Sequence, residues 1–145
     1  MAFRLLTLDD YEAYHELINE FRPTHFTEEQ FGIILTEIER SGAVWVYEED
    51  GVLLATGTII YEYKFIMDTC IYAHIEDVCV SALRRRQGLG KRLIQHLIHE
   101  AADCYKITLD CSDENVPFYE ACGLERRGNQ MCQLLENLLP KPVNL

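Results

Sequence analysis

One six-residue segment constrains the fold more than any other part of the chain: Arg85-Arg86-Gln87-Gly88-Leu89-Gly90. It follows an apolar, β-branched run at 72–80 and precedes residues 90–103, where apolar side chains recur at helical spacing. Two glycines separated by one residue allow a tight backbone turn whose N–H groups converge. The helix that follows adds unpaired first-turn amides and its positive dipole end. The pattern therefore predicts a strand–loop–helix unit whose loop binds a pyrophosphate.

The spacing of the glycines distinguishes this loop from other phosphate-binding motifs. A Walker loop needs Gly-x-x-x-x-Gly-Lys-Ser/Thr and the dinucleotide fingerprint needs a third glycine, and neither pattern is present. The side chains of Arg86 and Lys91 can add positive charge at the rim of the loop. The alternative interpretation is a glycine-rich helix entry that binds nothing.

Hydrophobic periodicity and turn residues predict the remaining elements. A capping box with Thr27 as N-cap and Gln30 three residues on predicts a helix, and Asp50-Gly51 predicts a hairpin turn. The predicted strands are 3–8, 43–47, 52–63 with an irregularity at Gly57, 72–80, 105–109, and one bent strand or a strand pair at 124–134; the predicted helices run from Asp9 or Asp10 to Pro23, from Thr27 to about 41, and over 90–103 and 116–121. This order predicts an α/β fold, with a single domain at 1–135 and a C-terminal tail at 136–145.

Composition narrows the class of function. The 145 residues carry 13 Lys+Arg and 24 Asp+Glu, a net charge of −11, which argues against a nucleic-acid or anionic-membrane partner. No apolar run approaches the roughly 20 residues of a membrane span, and the N-terminus turns acidic too early for a signal peptide. The six cysteines form no Cys-x-x-Cys pair, so we expect no metal site and free thiols in the cytoplasm rather than disulfides.

The loop and the blocks around it resemble the GNAT superfamily of N-acetyltransferases. Within that superfamily, they resemble the eukaryotic-type glucosamine-6-phosphate N-acetyltransferase branch, strongly over 74–132 and more weakly over 55–64 and the N-terminal half. The matching blocks are His74-Ile75-Glu76-Asp77-Val78-Cys79-Val80, Gly88-Leu89-Gly90-Lys91, Cys104-Tyr105-Lys106-Ile107-Thr108-Leu109-Asp110-Cys111 and Asn115-Val116-Pro117-Phe118-Tyr119-Glu120-Ala121-Cys122-Gly123.

The resemblance implies a mixed, mostly antiparallel central sheet with flanking helices, splayed between its fourth and fifth strands. Acetyl-CoA is then expected in that opening, between the strands predicted at 72–80 and 105–109. The cofactor contacts that it implies are the backbone of Val78, Cys79 and Val80, the loop residues Arg86, Gln87, Gly88, Leu89, Gly90 and Lys91, and Asn115, Phe118 and Tyr119.

The resemblance also implies catalytic roles for Tyr119, Asp110 and Glu76. Tyr119 matches the general acid, and a phenol with a pKa near 10 carries a proton at neutral pH that it can give to a thiolate. The alternative is a tyrosine packed on the buried face of the short helix, a role for which Phe118 is better suited. Asp110 acts through its backbone carbonyl, which receives the substrate amine, and Glu76 can accept a proton through water.

The implied reaction is direct transfer of an acetyl group to the amine of glucosamine 6-phosphate, usually by a homodimer that shares its last strands. The implied acceptor contacts, with Arg22 added as a substitute cation, are Arg22, Lys64, Phe65, Ile66, Met67, Glu76, Asp77, Lys106 and Asp110. Strand alternation predicts that Glu76 and Asp77 face opposite sides. Since a buried unpaired carboxylate is costly, we expect one of them to meet a ligand, water or a cation such as Lys64.

The chain departs from the branch at two positions. Leu134 stands where the family has a cation that meets the sugar phosphate, and Met67 replaces a histidine. We therefore consider Arg22, Arg126 and Arg127 as substitute phosphate contacts, and the lysines could equally be rim residues.

Three functions stay open: acetylation of glucosamine 6-phosphate, acetylation of another amine, and acetyl-CoA binding without turnover. A cysteine nucleophile is disfavoured because alternation places His74 and Cys79 on opposite faces.

Overall fold

The computed structural model describes residues 3–135, in which one five-stranded sheet carries helices on both faces. The elements are β1 (Phe3–Leu5), α1 (Tyr11–Phe21), α2 (Glu28–Glu39), β2 (Gly42–Glu49), β3 (Val52–Lys64), β4 (Cys70–Val80), α3 (Leu89–Glu100), β5 (Lys106–Leu109) and α4 (Val116–Ala121), with short 3₁₀ turns at Leu8–Asp10 and Asp113–Asn115. Strands β1 to β5 lie in chain order; β1 to β4 pair antiparallel, and β4 and β5 pair parallel. The predicted mixed α/β sheet is confirmed.

Side-chain hydrogen bonds mark the start of α2 and of the 3₁₀ turn that leads into α1, whereas no described side chain caps α1 itself. The capping box is confirmed: Thr27 Oγ1 accepts from the Gln30 amide at 3.1 Å, and Gln30 Oε1 accepts from the Thr27 amide at 2.9 Å. Before α1, the Asp10 carboxylate accepts from the Thr7 amide at 2.8 Å and from both terminal nitrogens of Arg4 at 2.8 and 2.9 Å. The Arg4 guanidinium therefore holds the pKa of Asp10 below its usual value and ties β1 to the start of α1.

The sheet separates two apolar layers. The layer beneath α1 and α2 contains Leu17, Phe31, Leu35, Val44 and Val46, and the layer beneath α3 contains Ile59, Ala73, Ile75, Leu93 and Leu97. Gly57 lets α3 approach β3, because a Cβ at this position would lie 2.9 Å from Leu97 Cδ1.

A β-bulge interrupts β4. Thr56 pairs with Cys79 and Thr58 with Glu76, so β4 has one more residue than β3 across this interval, and Asp77 adopts a φ of +50°. The extra residue changes which face the strand presents. Ala73 and Ile75 lie in the α3 layer, whereas Cys79, of the same parity, lies in the α1 layer.

The bulge corrects two predictions that assumed unbroken alternation. His74 faces away from the α3 layer and therefore shares a face with Cys79 instead of opposing it. Glu76 also lies on the α1 side, and Asp77 is close enough to Tyr14 of α1 for its charge to raise the pKa of that phenol. The two carboxylates therefore do not face opposite sides.

Strands β4 and β5 pair over the whole length of β5, and β4 then extends beyond it. Their register runs only from Tyr72↔Lys106 to Ile75↔Leu109, while β4 continues to Val80. The last five residues of β4 consequently have no partner on the β5 side among residues 3–135. This is the predicted splay between the fourth and fifth strands.

The strand predicted at 124–134 is wrong. Residues 124–135 contain no helix or strand in the described chain, and most of their side chains are exposed. The segment from Glu125 to Gln130 is a run of charged and amide residues around Gly128, without the alternation that buries one face of a strand. A strand also requires a partner strand, and this segment forms no strand pairing with any described residue.

The tail predicted at 136–145 lies outside the described residues, and the division into one domain and a tail stays a prediction. Within residues 3–135, no helix is long and apolar enough to cross a membrane. No group of three or more His, Cys, Asp or Glu in that range is placed to hold a metal ion. All six cysteines fall inside it, and none is paired.

Gly42→Ala should lower the free energy of unfolding by about 1–3 kcal/mol or more, because its Cβ would lie far inside van der Waals contact of the Ile59 carbonyl oxygen. Urea denaturation followed by circular dichroism measures the loss. Gly32→Ala is the matched control: in the middle of α2 its Cβ meets only Leu8 Cδ2 at 3.6 Å, so a gain of about 0.5–1 kcal/mol is expected. Unchanged stability of Gly42→Ala would contradict this account of the β2–β3 contact.

Candidate active site

The loop between β4 and α3 presents unpaired backbone amides. Arg86 and Gly88 adopt φ values of +64° and +81°, and Gly88 occupies the N-cap of α3, where no side chain caps the helix. The first turn of α3 contains no acidic residue. Free first-turn N–H groups, the positive end of the helix dipole and the absence of a competing carboxylate suit an anionic group such as a pyrophosphate.

The second glycine of the loop lies in a tight contact between α3, α4 and the end of β4. A Cβ on Gly90 would lie 3.2 Å from Phe118 Cζ and 3.5 Å from Val80 Cγ2. The absence of a side chain therefore lets α4 and the end of β4 close around the start of α3. Phe118, which the sequence places among the cofactor contacts, lies against the loop.

Arginine side chains hold the loop in place. Arg84 Nη2 donates to Glu49 Oε2 at 2.7 Å, and Arg85 Nε donates to the Val80 carbonyl at 3.1 Å. The sequence analysis predicted neither contact. Glu49 is 35 residues from Arg84 in the sequence, so no local pattern indicates that pair. Of the basic triplet at 84–86, only Arg86 makes no hydrogen bond to another described residue.

The edge of β4 at the splay exposes backbone groups. The Ser81 amide donates to Leu54 of β3 at 2.8 Å, so the preceding residue, Val80, directs its N–H and C=O toward the opening. Cys79 instead buries its side chain in the α1 layer, where its thiol lies 3.5 Å from the Leu17 carbonyl and burial raises its pKa to about 11. A thiolate nucleophile therefore has no support here. By the same alternation, the N–H and C=O of Cys79 face its register partner Thr56 of β3 and not the opening.

Tyr119 packs against the α3 layer from α4, and its side chain is half-buried. Burial raises the pKa of its phenol, and the nearby thiols of Cys111 and Cys122 raise it further. The hydroxyl makes no hydrogen bond with any described residue. The expectation that Phe118 would be the better-packed ring is wrong, because Phe118 is 39% exposed at the loop.

A cavity of about 640 Å³ follows β5 and α4 and brings several predicted residues together. It is lined by Tyr119, by Lys106 and Leu109 of β5, by Cys111, and by Arg126 and Arg127. Both arginines also form exposed ion pairs, Arg126 with Asp113 at 2.6 Å and Arg127 with Glu125 at 2.6 Å. Tyr119, the predicted proton donor, and Lys106, a predicted contact of the acetyl acceptor, therefore line the same cavity.

The carboxylates at the bulge are exposed. Neither Glu76 nor Asp77 pairs with a cation among the described residues, and Lys64 pairs with Glu62 instead. The pKa of Tyr14 is raised to about 12, mainly because the phenol is buried and secondly because of the negative charge of Asp77. The predicted pairing of one carboxylate with Lys64 is therefore wrong, and both remain accessible to a ligand.

Two lysines flank the ring of Tyr72 on this face of the sheet. Lys106 Nζ lies 4.5 Å and Lys64 Nζ 5.0 Å from the ring centroid, and Tyr105 stacks on Tyr72 at 5.9 Å between centroids. Tyr72 and Lys106 are register partners across the parallel pair β4–β5. Sequence reasoning identified both lysines but missed Tyr72, because nothing in the sequence gives that register.

A histidine links the same face. His74 Nδ1 lies 2.6 Å from Thr108 Oγ1, and Nε2 lies 3.2 Å from Glu62 Oε2. The hydrogen bond from Lys64, then that from His74, lowers the pKa of Glu62. The exposed face thus carries Lys106 and the ion pair Lys64–Glu62 at one end and the bulge carboxylates at the other.

The remaining predicted residues are peripheral. Phe65, Ile66 and Met67 are exposed in the connection between β3 and β4, Phe65 at 97%. The other exposed positions are Arg22 at the end of α1, Asp110 just after β5, Asn115 before α4, and Leu134.

Residues 9–124 match the model of the acetyltransferase (GNAT) family. The chain belongs to this family. Its closely similar relatives include a protein from Dictyostelium discoideum named glucosamine 6-phosphate N-acetyltransferase 1, 37% identical over 100% of this chain and 95% of its own length. The glucosamine 6-phosphate N-acetyltransferase of Arabidopsis thaliana is 35% identical over 88% of this chain and 91% of its own length.

Solved structures of GNAT relatives reproduce the fold. The crystal structure of glucosamine-6-phosphate N-acetyltransferase from Arabidopsis thaliana superposes with a TM-score of 0.85 at 33% identity, covering 93% of this chain and 98% of that one. An acetyltransferase from Trypanosoma brucei gives a TM-score of 0.86 at 28% identity, over 92% and 99% of the two chains. GNAT enzymes use acetyl-CoA, and the uncapped helix, open strand edge and glycine at position 90 all fit that co-substrate.

Proposed function

We propose that this GNAT acetyltransferase transfers the acetyl group of acetyl-CoA to the amine of glucosamine 6-phosphate. The observation that carries the proposal is the separation of charge along one exposed face of β4 and β5. Glu76 and Asp77 lie at the splay, and Lys64 and Lys106 flank Tyr72 farther from it. Tyr72 and Glu76 are four residues apart, about 13 Å along a strand. Glucosamine 6-phosphate carries an ammonium at one end and a phosphate at the other. The ammonium suits the carboxylates at the splay and the phosphate suits the two lysines, and the flexible side chains at each end can reach these groups.

The relatives support the acceptor. The proteins from Dictyostelium discoideum and Arabidopsis thaliana, as well as one from Candida albicans at 32% identity over 90% of this chain, carry the name glucosamine 6-phosphate N-acetyltransferase. We assign the acceptor contacts predicted from the sequence to this substrate, with Phe65, Ile66 and Met67 at the outer rim and Arg22 at the end of α1.

The loop and strand edge would hold acetyl-CoA. The amides of residues 86–91 bind the pyrophosphate, with Lys91 adding charge. The edge of β4 at 78–80, where the Val80 amide faces the opening and the Val80 carbonyl accepts from Arg85, pairs with the amide groups of the pantetheine arm. Asn115 and Phe118 close the site from the side of α4. Because β4 is unpaired on this side, the arm takes the position of an added strand.

When bound, acetyl-CoA supplies a thioester carbonyl as the electrophile and a thiol as the leaving group. The backbone carbonyl of Asp110, just beyond the last residue of β5, orients the attacking amine by accepting a hydrogen bond from it. As the C–N bond forms, the Val78 amide donates to the oxygen that gains negative charge. When the C–S bond breaks, the Tyr119 phenol gives its proton to the sulfur. Glu76, through water, takes the proton that the amine loses.

Each of these groups suits its role. Burial keeps the Tyr119 phenol protonated at neutral pH, and a free hydroxyl leaves the proton available for donation. Glu76 is exposed, so it can act as a proton acceptor through solvent. Much of the rate acceleration should come from holding the amine against the thioester.

We further propose a homodimer in which residues 124–135 of each copy pair with β5 of the partner. β5 is the last strand of the described sheet and has a free edge, and its cavity is bordered by residues 123–128. The segment that follows exposes large apolar side chains: Met131 at 90%, Leu134 at 70% and Leu135 at 78%. Strand addition gives hydrogen-bond partners to the unpaired backbone groups at the edge of β5, and it buries the exposed apolar side chains.

We place the enzyme in the cytoplasm. Six unpaired thiols, two of them buried, suit a reducing compartment better than an oxidising one.

Sedimentation equilibrium should give twice the chain mass, and Leu135→Asp should convert the dimer to monomer by placing a charge in the shared sheet. Val52→Asp, at an exposed position at the start of the central strand β3, is the matched control and should stay dimeric. A monomeric wild-type chain at micromolar concentration would exclude the dimer.

A thiol-release assay with acetyl-CoA should give a kcat/KM for glucosamine 6-phosphate about 100-fold above that for glucosamine, as two charge-assisted contacts to phosphate imply. Polyamines and peptide amines complete the panel. Turnover restricted to a polyamine or a peptide amine would show that this amine, and not glucosamine 6-phosphate, is the acceptor. Coenzyme A binding without turnover of any amine would show that the protein is not an acetyltransferase.

Lys106→Met tests the phosphate contact in the same assay. It should lower kcat/KM for glucosamine 6-phosphate about 10-fold, because the variant loses a charge-assisted hydrogen bond to the phosphate. The kcat/KM for glucosamine, which has no phosphate, should not change. Arg40→Met, an exposed cation at the end of α2, is the control.

Tyr119→Phe should lower turnover about 10- to 100-fold, the usual contribution of a general acid, with little change in coenzyme A affinity. Stopped-flow thiol release and calorimetry measure the two quantities. Because burial raises the pKa of the phenol, wild-type turnover should not fall through the mildly alkaline range. Tyr63→Phe, whose side chain is 77% exposed, is the control. Full turnover in Tyr119→Phe would remove this residue from the mechanism.

A further inference from the structure

The carboxylate of Glu20 bridges α1 and the start of the pyrophosphate loop. Oε1 accepts from the Ser81 hydroxyl at 3.0 Å, and Oε2 accepts from the Ala82 amide at 2.8 Å. The two partners are 61 and 62 residues from Glu20 in the sequence, and Ser81 is only 1% exposed. Both oxygens of one carboxylate are thus used on consecutive residues of another segment.

Local helix energetics do not explain Glu20. It lies next to the last residue of α1, where the negative end of the helix dipole disfavours a carboxylate, and the last turn has no basic residue to offset it. Residues that break a local rule are expected at positions where a tertiary contact or function compensates. Here the compensating contacts are the two donors of the loop.

Ser81 is the point at which the chain leaves the sheet. Its amide donates to the Leu54 carbonyl at 2.8 Å, its carbonyl accepts from the Arg84 amide at 2.9 Å, and its hydroxyl oxygen accepts from the Leu83 amide at 3.3 Å. Fixing Ser81 and Ala82 therefore fixes the direction in which residues 83–88 depart.

The loop needs this support because its own backbone is strained. Arg86 is a non-glycine residue with a φ of +64°, a conformation that is unfavourable unless the surroundings hold it. Without an anchor at its start, the loop gains by relaxing away from the arrangement that converges its amides. The anchored loop binds without first being ordered.

We propose that Glu20 is a positioning residue for the acetyl-CoA pyrophosphate, acting through Ser81 and Ala82, so that a residue of α1 sets the affinity of the co-substrate. The inference rests on the proposed function only in that the loop binds coenzyme A. Glu20 does not itself touch the co-substrate. Its negative charge would repel a pyrophosphate, so a purely electrostatic role and a positioning role predict opposite signs when it is removed.

Calorimetric titration with coenzyme A measures the effect in the full chain. Glu20→Ala should weaken binding about 10-fold, in line with the loss of charge-assisted hydrogen bonds. Glu20→Gln, which keeps one acceptor oxygen, should lie between Glu20→Ala and wild type. Glu16→Ala, an exposed carboxylate one turn earlier on the same helix, is the matched control and should bind as wild type does.

Kinetics with a truncated thioester separate positioning from general damage. With acetyl-CoA, Glu20→Ala should raise KM about 10-fold at nearly unchanged kcat, the signature of lost uniform binding. With S-acetylpantetheine, which has no pyrophosphate, Glu20→Ala and wild type should have the same kcat/KM. Equal losses with both thioesters would show that the variant is merely damaged and would overturn the proposal.

Two further outcomes are decisive. Unchanged or tighter coenzyme A binding by Glu20→Ala, with wild type binding normally, would overturn the positioning role and leave the proposed function intact. Failure of the wild-type chain itself to bind coenzyme A would overturn the proposed function and this inference with it.

Discussion

The fold and the site both depend on one extra residue in β4. The bulge at Asp77 places two residues against one on β3 and bends β4 just beyond Ile75, the last residue that pairs with β5. Aspartate tolerates a positive φ better than most side chains, so the cost at this position is small. Beyond the bulge, Cys79 changes layers and becomes buried, while the backbone of Val80 turns toward the opening. One insertion thereby provides a filled core on one side and unpaired strand groups on the other.

An acidic chain can bind an anion when backbone groups supply the positive potential. The net charge of −11 argues against a broad basic surface, yet the N-terminus of α3 has no acidic residue and no capping side chain. Glu49 neutralises Arg84, whereas Arg85 keeps its charge while it donates to the Val80 carbonyl. These two arginines shape the loop, and the amides, with Arg86 and Lys91 at the rim, are left to meet the ligand.

Local signals in the sequence predicted local structure. The capping box at Thr27, the Asp50-Gly51 turn and the glycine loop depend on neighbours within a few residues, and all three are found as expected. Alternation failed at Asp77 because a bulge depends on pairing with β3. Contacts such as Glu20 with Ser81, or Tyr72 with Lys106, depend on register and packing over long sequence separations. The strand predicted at 124–134 failed for the same reason, since pairing requires an edge that this segment does not meet within the described chain.

Leu134 offers no charge at the position where the family resemblance implies a cation, so other residues would have to recognise a sugar phosphate. Lys64 and Lys106 already converge on Tyr72, but Lys64 is neutralised by Glu62, which also contacts His74. A bound phosphate dianion therefore competes with Glu62 for Lys64, while Lys106, which forms no ion pair with a described residue, is available without exchange. A neutral sugar offers nothing to displace Glu62. On the proposed function, selectivity for the phosphorylated amine then arises from this exchange of partners on an exposed face, and it should weaken as salt screens the charges.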